Sequence, residues 1–215
     1  MLYERCVPVK LLTLIRKLEN EPVFKDFFLV GGTALALQIG HRKSDDIDLF
    51  SQKELQILEI TKYLKQNHNG KYQLLNSQNM IYQVMIDGIK VDFVHHPFEL
   101  VEAALHDSQL TYLGIKDIAA MKLHAIETSG NRAKDFVDIY FLLKKMPLEK
   151  MFEYYRKKYS TENIFNAKRS LGYFEDVPEE SWKEVRTVNQ NATADTVKKA
   201  IINAIQEFNR QNFES

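Results

Sequence analysis

This sequence is short of cysteine, of net charge and of long apolar runs, and each shortage excludes something. The single cysteine, Cys6, cannot build an internal disulfide framework and fits a reducing compartment. No base stands near it in sequence, so Cys6 is expected to be inert rather than nucleophilic. Lys+Arg and Asp+Glu balance at 29 each, for a net charge of zero. Without a global basic footprint, a nucleic-acid partner would have to be held by a local patch. No apolar run approaches the roughly 18 residues of a membrane span, and the N-terminal residues carry no signal-peptide apolar core. A cytoplasmic protein with no membrane partner is expected. No repeat, low-complexity stretch or zinc-site spacing is present.

The pattern of what is present changes along the chain. Pro8 starts a helix whose apolar stripe is Leu11, Leu12, Ile15 and Leu18. Phe27–Val30 reads as a buried strand ended by Gly31-Gly32, followed by a short helix over Thr33–Ile39 that Gly40 closes. Ile47, Leu49 and Phe50 alternate with Asp46 and Asp48, a strand with two acids on one face. A helix is predicted over Lys53–His68, then strands over Tyr72–Leu75, Met80–Ile86 and Ile89–Val94, the last two joined by an Asp87-Gly88 hairpin turn. Thr111–Leu113 is one more short strand. From Ile115 onward the periodicity is helical: Ile115–Thr128, Lys134–Lys145, Leu148–Tyr159, Glu162–Leu171, Glu179–Val185 and Thr193–Phe213. The fold class is α+β, divided near Gly114 into an α/β domain over 1–113 and a helical domain over 114–215.

Three aspartates and a glycine pair carry the candidate chemistry. Asp46 and Asp48, two apart on a strand, point the same way and suit hard cations such as Mg²⁺ or Mn²⁺, which take oxygen ligands. Asp92 lies between Val91 and Phe93 in the same apolar–acid–apolar form, so pairing of these strands would bring three carboxylates together. Gly31-Gly32 opening onto a helix lets backbone N–H groups approach phosphates, with a helix N-terminus behind them. Thr33 is expected to add a hydroxyl, and Arg42 and Ser44, just before the acids, to help hold a triphosphate. Singly these features are turns and solvated strand ends; their order along the chain is what makes them specific.

At this point the residues resemble a known family. The segments Phe28–Leu37 and His41–Phe50 are similar to the AbiEii/AbiGii-type nucleotidyltransferases, toxins of abortive-infection and toxin–antitoxin systems within the DNA polymerase β-like superfamily. Asp117–Leu123, Arg132, Lys134-Asp135 and Asp138 resemble that family's later motifs. The resemblance implies a small mixed sheet flanked by helices and then a helical bundle. It implies an NTP substrate, a divalent metal, and NMP transfer to an acceptor such as a tRNA 3′ end, another RNA or a protein, with an antitoxin or regulator as partner. It assigns Gly31, Gly32 and Thr33 to the triphosphate, Asp46 and Asp48 to the metal, and Lys122 to phosphate charge. Asp92 matches the superfamily's third carboxylate, and either Asp135 or Asp138 fills the last motif. A nucleotide-binding module without transfer, or a phosphotransferase, is the alternative.

Helix geometry bears on three of these residues independently. Lys122 falls inside the apolar stripe of its helix, so its ammonium either reaches out to water or meets an anion. Asp135 and Asp138 either form a favourable acidic first turn or serve the site. His124 is placed at the surface. Tyr154–Tyr159 interleaves aromatic and basic residues, which suits RNA stacking but equally a solvated amphipathic face.

Overall fold

The structure, a computed structural model, describes residues 2–78, 80–107, 109–188 and 192–213. They form two compact units: Met1–Ile39, Ser44–Glu99 and Ala103–Gly114 in the first, Gly40–Lys43, Leu100–Glu102 and Ile115–Ser215 in the second.

The first unit holds the sheet. Its elements are α1 (Val9–Glu19), β1 (Phe28–Val30), α2 (Gly31–Ile39), β2 (Ile47–Ser51), α3 (Ile57–Asn67), β3 (Tyr72–Gln78), β4 (Ile81–Ile86), β5 (Ile89–His95), β6 (Leu105–Asp107) and β7 (Leu110–Tyr112). The strands lie in the order β3-β4-β5-β2-β1-β7-β6. β2 runs parallel to β5 and antiparallel to β1, and β7 runs parallel to β1, so the sheet is mixed. Ile47, Leu49, Val91 and Phe93 are buried on one face. Phe24 stacks on Phe93 with ring centroids 5.2 Å apart, and Tyr63 of α3 meets Phe24 edge-on. The alternating residues Asp48, Phe50, Lys90 and Asp92 occupy the other, half-buried face.

Local chemistry explains where the elements begin. Asp87 and Gly88 have φ of 52° and 77°, which is the two-residue hairpin turn expected of an Asp-Gly pair. α3 starts at Ile57 rather than Lys53 because the Lys53 N–H donates to Ser51 Oγ at 3.1 Å, a turn that competes with helix. β3 extends past Leu75 to Gln78: its polar end pairs with β4, and an edge strand exposed on both faces shows no alternation to read. β6 has no counterpart among the predicted elements, being three residues with only an antiparallel partner, β7.

The second unit is helical: α4 (Ile115–Thr128), α5 (Ala133–Leu143), α6 (Leu148–Tyr159), α7 (Phe165–Leu171), α8 (Glu179–Glu184) and α9 (Ala194–Phe213). α7 begins three residues later than predicted, because Asn163 Oδ1 takes the Phe165 N–H at 2.9 Å. No helix among the described residues is long and apolar enough to cross a membrane.

Candidate active site

The carboxylates of the first unit meet through strand register. Asp48 of β2 and Asp92 of β5 are direct partners in the parallel ladder, and Asp46 stands two residues before Asp48, just ahead of β2. Asp92 Oδ2 accepts from Lys90 Nζ at 2.8 Å and from Gln83 Nε2 at 3.0 Å. Its Oδ1 is buried and accepts no hydrogen bond among the described residues. Burial would lower the Lys90 pKa, but the hydrogen bond and charge of Asp92, with the charges of Asp46 and Asp48, outweigh it and raise it. The Lys90 ammonium therefore sits in the field of all three acids. Neither Lys90 nor Gln83 is among the expected site residues. Lys90 shares the period-2 face of Asp92 and was readable; Gln83 needs the β4–β5 register. Among the described residues no three His, Cys, Asp or Glu side chains are gathered tightly enough to form a metal cluster. The fit to a hard cation rests on the adjacent Asp48 and Asp92 and the unfilled Asp92 Oδ1.

Gly31 closes the site on the other side. β1 ends at Val30, the register partner of Asp48, and the chain turns into α2 at Gly31 with φ of +68°. A Cβ added there would lie 2.1 Å from Asp48 Oδ2 and 2.9 Å from its Cγ. Glycine is thus required twice, for the left-handed backbone and for the carboxylate lying against it. Gly32 follows in the first turn of α2, where backbone N–H groups have no intrahelical acceptor. Gly31→Ala is expected to push the Asp48 carboxylate aside, cutting activity at this site by about 100-fold at a stability cost of about 1–2 kcal/mol. A paired rate assay and thermal melt check this; full activity in the variant contradicts the placement.

Two hydroxyls expected at the triphosphate have other partners. Thr33 is fully buried, and its one proton faces both the Asp46 carbonyl oxygen and Ser44 Oγ, the latter at 2.9 Å. These bonds tie the 44–46 segment to α2 and so fix where Asp46 and Asp48 emerge.

Arg42, Lys122, Asp135 and Asp138 come together within the second unit. Arg42 is 4% exposed and grips Asp138 with two bonds, Nε to Oδ1 at 2.6 Å and Nη2 to Oδ2 at 3.0 Å. Its expected triphosphate role gives way to that of a buried partner to a carboxylate. Lys122 Nζ lies 2.6 Å from Asp135 and 2.7 Å from Asp138, so the anions it meets are carboxylates of the chain itself. His41 Nε2 adds a 2.7 Å contact to Asp138, and Arg132 pairs with Asp135 at 2.7 Å. Both aspartates are buried, and Asp135 lies in the first turn of α5. Burial would raise Asp138, yet the Arg42 and Lys122 charges hold its carboxyl well below the usual range. For Lys122 burial pulls down and the two carboxylates pull up, with a net rise. For His41 burial prevails over the Asp138 hydrogen bond and its pKa falls.

In the α6 segment Tyr154–Tyr159, Tyr155 and Lys158 are buried, Tyr154, Arg156 and Tyr159 are half-buried and Lys157 is exposed. Lys158 is 1% exposed and pairs with Asp117 at 2.8 Å, Lys157 donates to the Val101 carbonyl at 2.8 Å, and the Tyr155 hydroxyl donates to Glu127. His124 is half-exposed and stacks on Tyr159 at 4.4 Å. Cys6 is buried and in no disulfide among the described residues.

Comparison with known proteins places these clusters in context. A family model described as nucleotidyl transferase AbiEii toxin, type IV TA system, matches residues 13–212. The uncharacterized protein aq_aa25 of Aquifex aeolicus (strain VF5) is 32% identical over 177 residues, 80% of this chain and 84% of its own length. Among solved structures, JHP933 from Helicobacter pylori superposes with a TM-score of 0.57 at 16% identity, covering 97% of each chain. MenT4, the nucleotidyltransferase toxin Rv2826c from Mycobacterium tuberculosis H37Rv, superposes with a TM-score of 0.60 at 15% identity, covering 93% of this chain and 82% of its own. At such identities the two structures share the fold with this chain.

Proposed function

Because this chain belongs to the AbiEii nucleotidyl transferase toxin family, we propose that it transfers NMP from an NTP to an acceptor hydroxyl at the Gly31–Asp48–Asp92 cluster. The observation that carries this reading is the pairing of Asp48 with Asp92 directly beside Gly31, with Asp92 Oδ1 left unfilled. Asp48, Asp92 and Asp46 would hold Mg²⁺ (or Mn²⁺), which when bound polarises the acceptor hydroxyl and neutralises charge on the leaving pyrophosphate. Gly31 and Gly32 present first-turn N–H groups of α2 to the triphosphate. Thr33 and Ser44 keep the acid-bearing segment seated on α2. Lys122, Asp135, Asp138 and Arg42 are proposed as a positioning network within the helical unit. The type IV system named for the family suggests a toxin with an antitoxin partner, and the acceptor is proposed as an RNA, tRNA included, or a protein.

Incubation with α- and γ-labelled NTPs, Mg²⁺ and total RNA separates the reactions. Label from the α-position in RNA is expected. Label from the γ-position instead means phosphotransfer, and NTP binding with no labelled acceptor means a binding module.

A further inference from the structure

The first unit carries a second concavity that the reading above does not use. A groove of about 440 Å³ is lined by Lys10 and Lys17 of α1, His68 and Lys71 between α3 and β3, and Asp87 and Ile89 at the β4–β5 turn. Lys10 and Lys17 are seven residues apart, two helical turns, and so project from one side of α1. Both, with Lys71, are exposed. Among the described residues Asp87 is the acid lining the groove. It is shared by His68 Nδ1 at 3.1 Å and Lys71 Nζ at 3.3 Å, which anchors the buried imidazole at the groove's edge. Three lysines against one aspartate leave the groove positive on a chain whose net charge is zero. Among the described residues no Phe, Tyr or Trp lines it and the His68 ring is buried, so the chemistry it offers is charge for a backbone rather than a stacking platform for bases.

Its position ties it to the carboxylates. Ile89, which lines the groove, is three residues before Asp92 on β5, about 10 Å along the strand. Ile89 shares the apolar sheet face of Val91 and Phe93 while Asp92 lies on the other, so a backbone seated in the groove would pass round the start of β5 to bring its next nucleotides toward the acids. We propose that this groove seats the phosphodiester backbone of a single-stranded nucleic-acid acceptor, a few nucleotides from the end that reacts. The proposal rests on the nucleotidyl-transfer reading and supplies the local basic patch that a neutral chain needs.

The test is fluorescence anisotropy of a labelled single-stranded RNA with the full chain over a range of salt. The wild type is compared with Lys10→Gln/Lys17→Gln/Lys71→Gln and with a control triple, Lys25→Gln/Lys53→Gln/Lys150→Gln. Each lost phosphate contact removes about 0.7 from the slope of log affinity against log salt. The groove variant is expected to bind RNA about 10-fold or more weakly, with a slope shallower by about 2, while NTP affinity is unchanged and the control triple matches the wild type. Wild-type affinity and slope in the groove variant, or an equal loss in the control, would overturn the proposal. Binding is read without turnover: a wild type that binds RNA through these lysines yet transfers no label removes the nucleotidyl-transfer reading and leaves the groove standing.

Discussion

Asp48→Asn is expected to lower nucleotidyl transfer by about 10³-fold, ~4 kcal/mol of transition-state stabilisation, without unfolding the protein. Asparagine keeps the shape that fits against Gly31, so the geometry of β1, β2 and α2 is preserved. What is lost is one negative charge at the point where β2 and β5 bring two carboxylates into register. A neutral amide is a poor ligand for a hard cation where a carboxylate pair is needed. Asp48 lies on the half-buried sheet face, so the change leaves the apolar core intact. Asp92→Asn is expected to do less to the rate and more to the surroundings, since it also removes the counter-charge beside Lys90. Rates from α-labelled NTP, read beside thermal melts of the same preparations, check both. An Asp48→Asn variant with wild-type kcat/KM removes Asp48 from the mechanism.

Asp138→Asn is expected to be the most destabilising single change in the second unit, by about 3–5 kcal/mol. Asp138 is fully buried and faces Arg42, Lys122 and His41 together. Removing its charge leaves buried Arg42 and Lys122 with one counter-charge fewer, Asp135 remaining beside Lys122, and that penalty exceeds the loss of any one hydrogen bond. The acid dependence follows. The Asp138 carboxyl is held below its ordinary value, so its contribution is present above the ordinary carboxylate range and is lost as pH falls toward the depressed value. Lys122 is shifted upward, so its contribution is already full in acid and is lost only as pH rises through its raised value. Urea unfolding at about pH 7 and about pH 2.5 is therefore expected to show a larger loss for the wild type than for Asp138→Asn. Equal stability of the two proteins at neutral pH counts against the network.

What the sequence made legible were features whose signal is local. The alternation around Asp48 and Asp92 gave two strands, and Asp87-Gly88 gave the hairpin, because side-chain period and positive φ are written in neighbouring residues. α4 and α6 run over the residues that periodicity marked. Partners distant in sequence were another matter. Arg42 has the look of a phosphate ligand because it precedes the acids, and only the fold reveals Asp138, ninety-six residues away, as its partner. Thr33 reads as a phosphate donor until the Asp46 carbonyl is found within its reach. Tyr154–Tyr159 carries an RNA-like composition, but Asp117 and Glu127 engage Lys158 and Tyr155 from another helix. In each case a polar side chain was assigned outward when a buried acceptor was waiting inside, as buried polar groups require.

The most direct test of the central claim is transfer of α-label from an NTP to RNA by the wild type and by Asp48→Asn, with both proteins shown to melt at the same temperature. Labelled RNA with the wild type, and about a thousandfold less with the variant, is the predicted result. Equal labelling by the two proteins, or label that follows the γ-phosphate, would contradict a nucleotidyl-transfer site built on Gly31, Asp48 and Asp92.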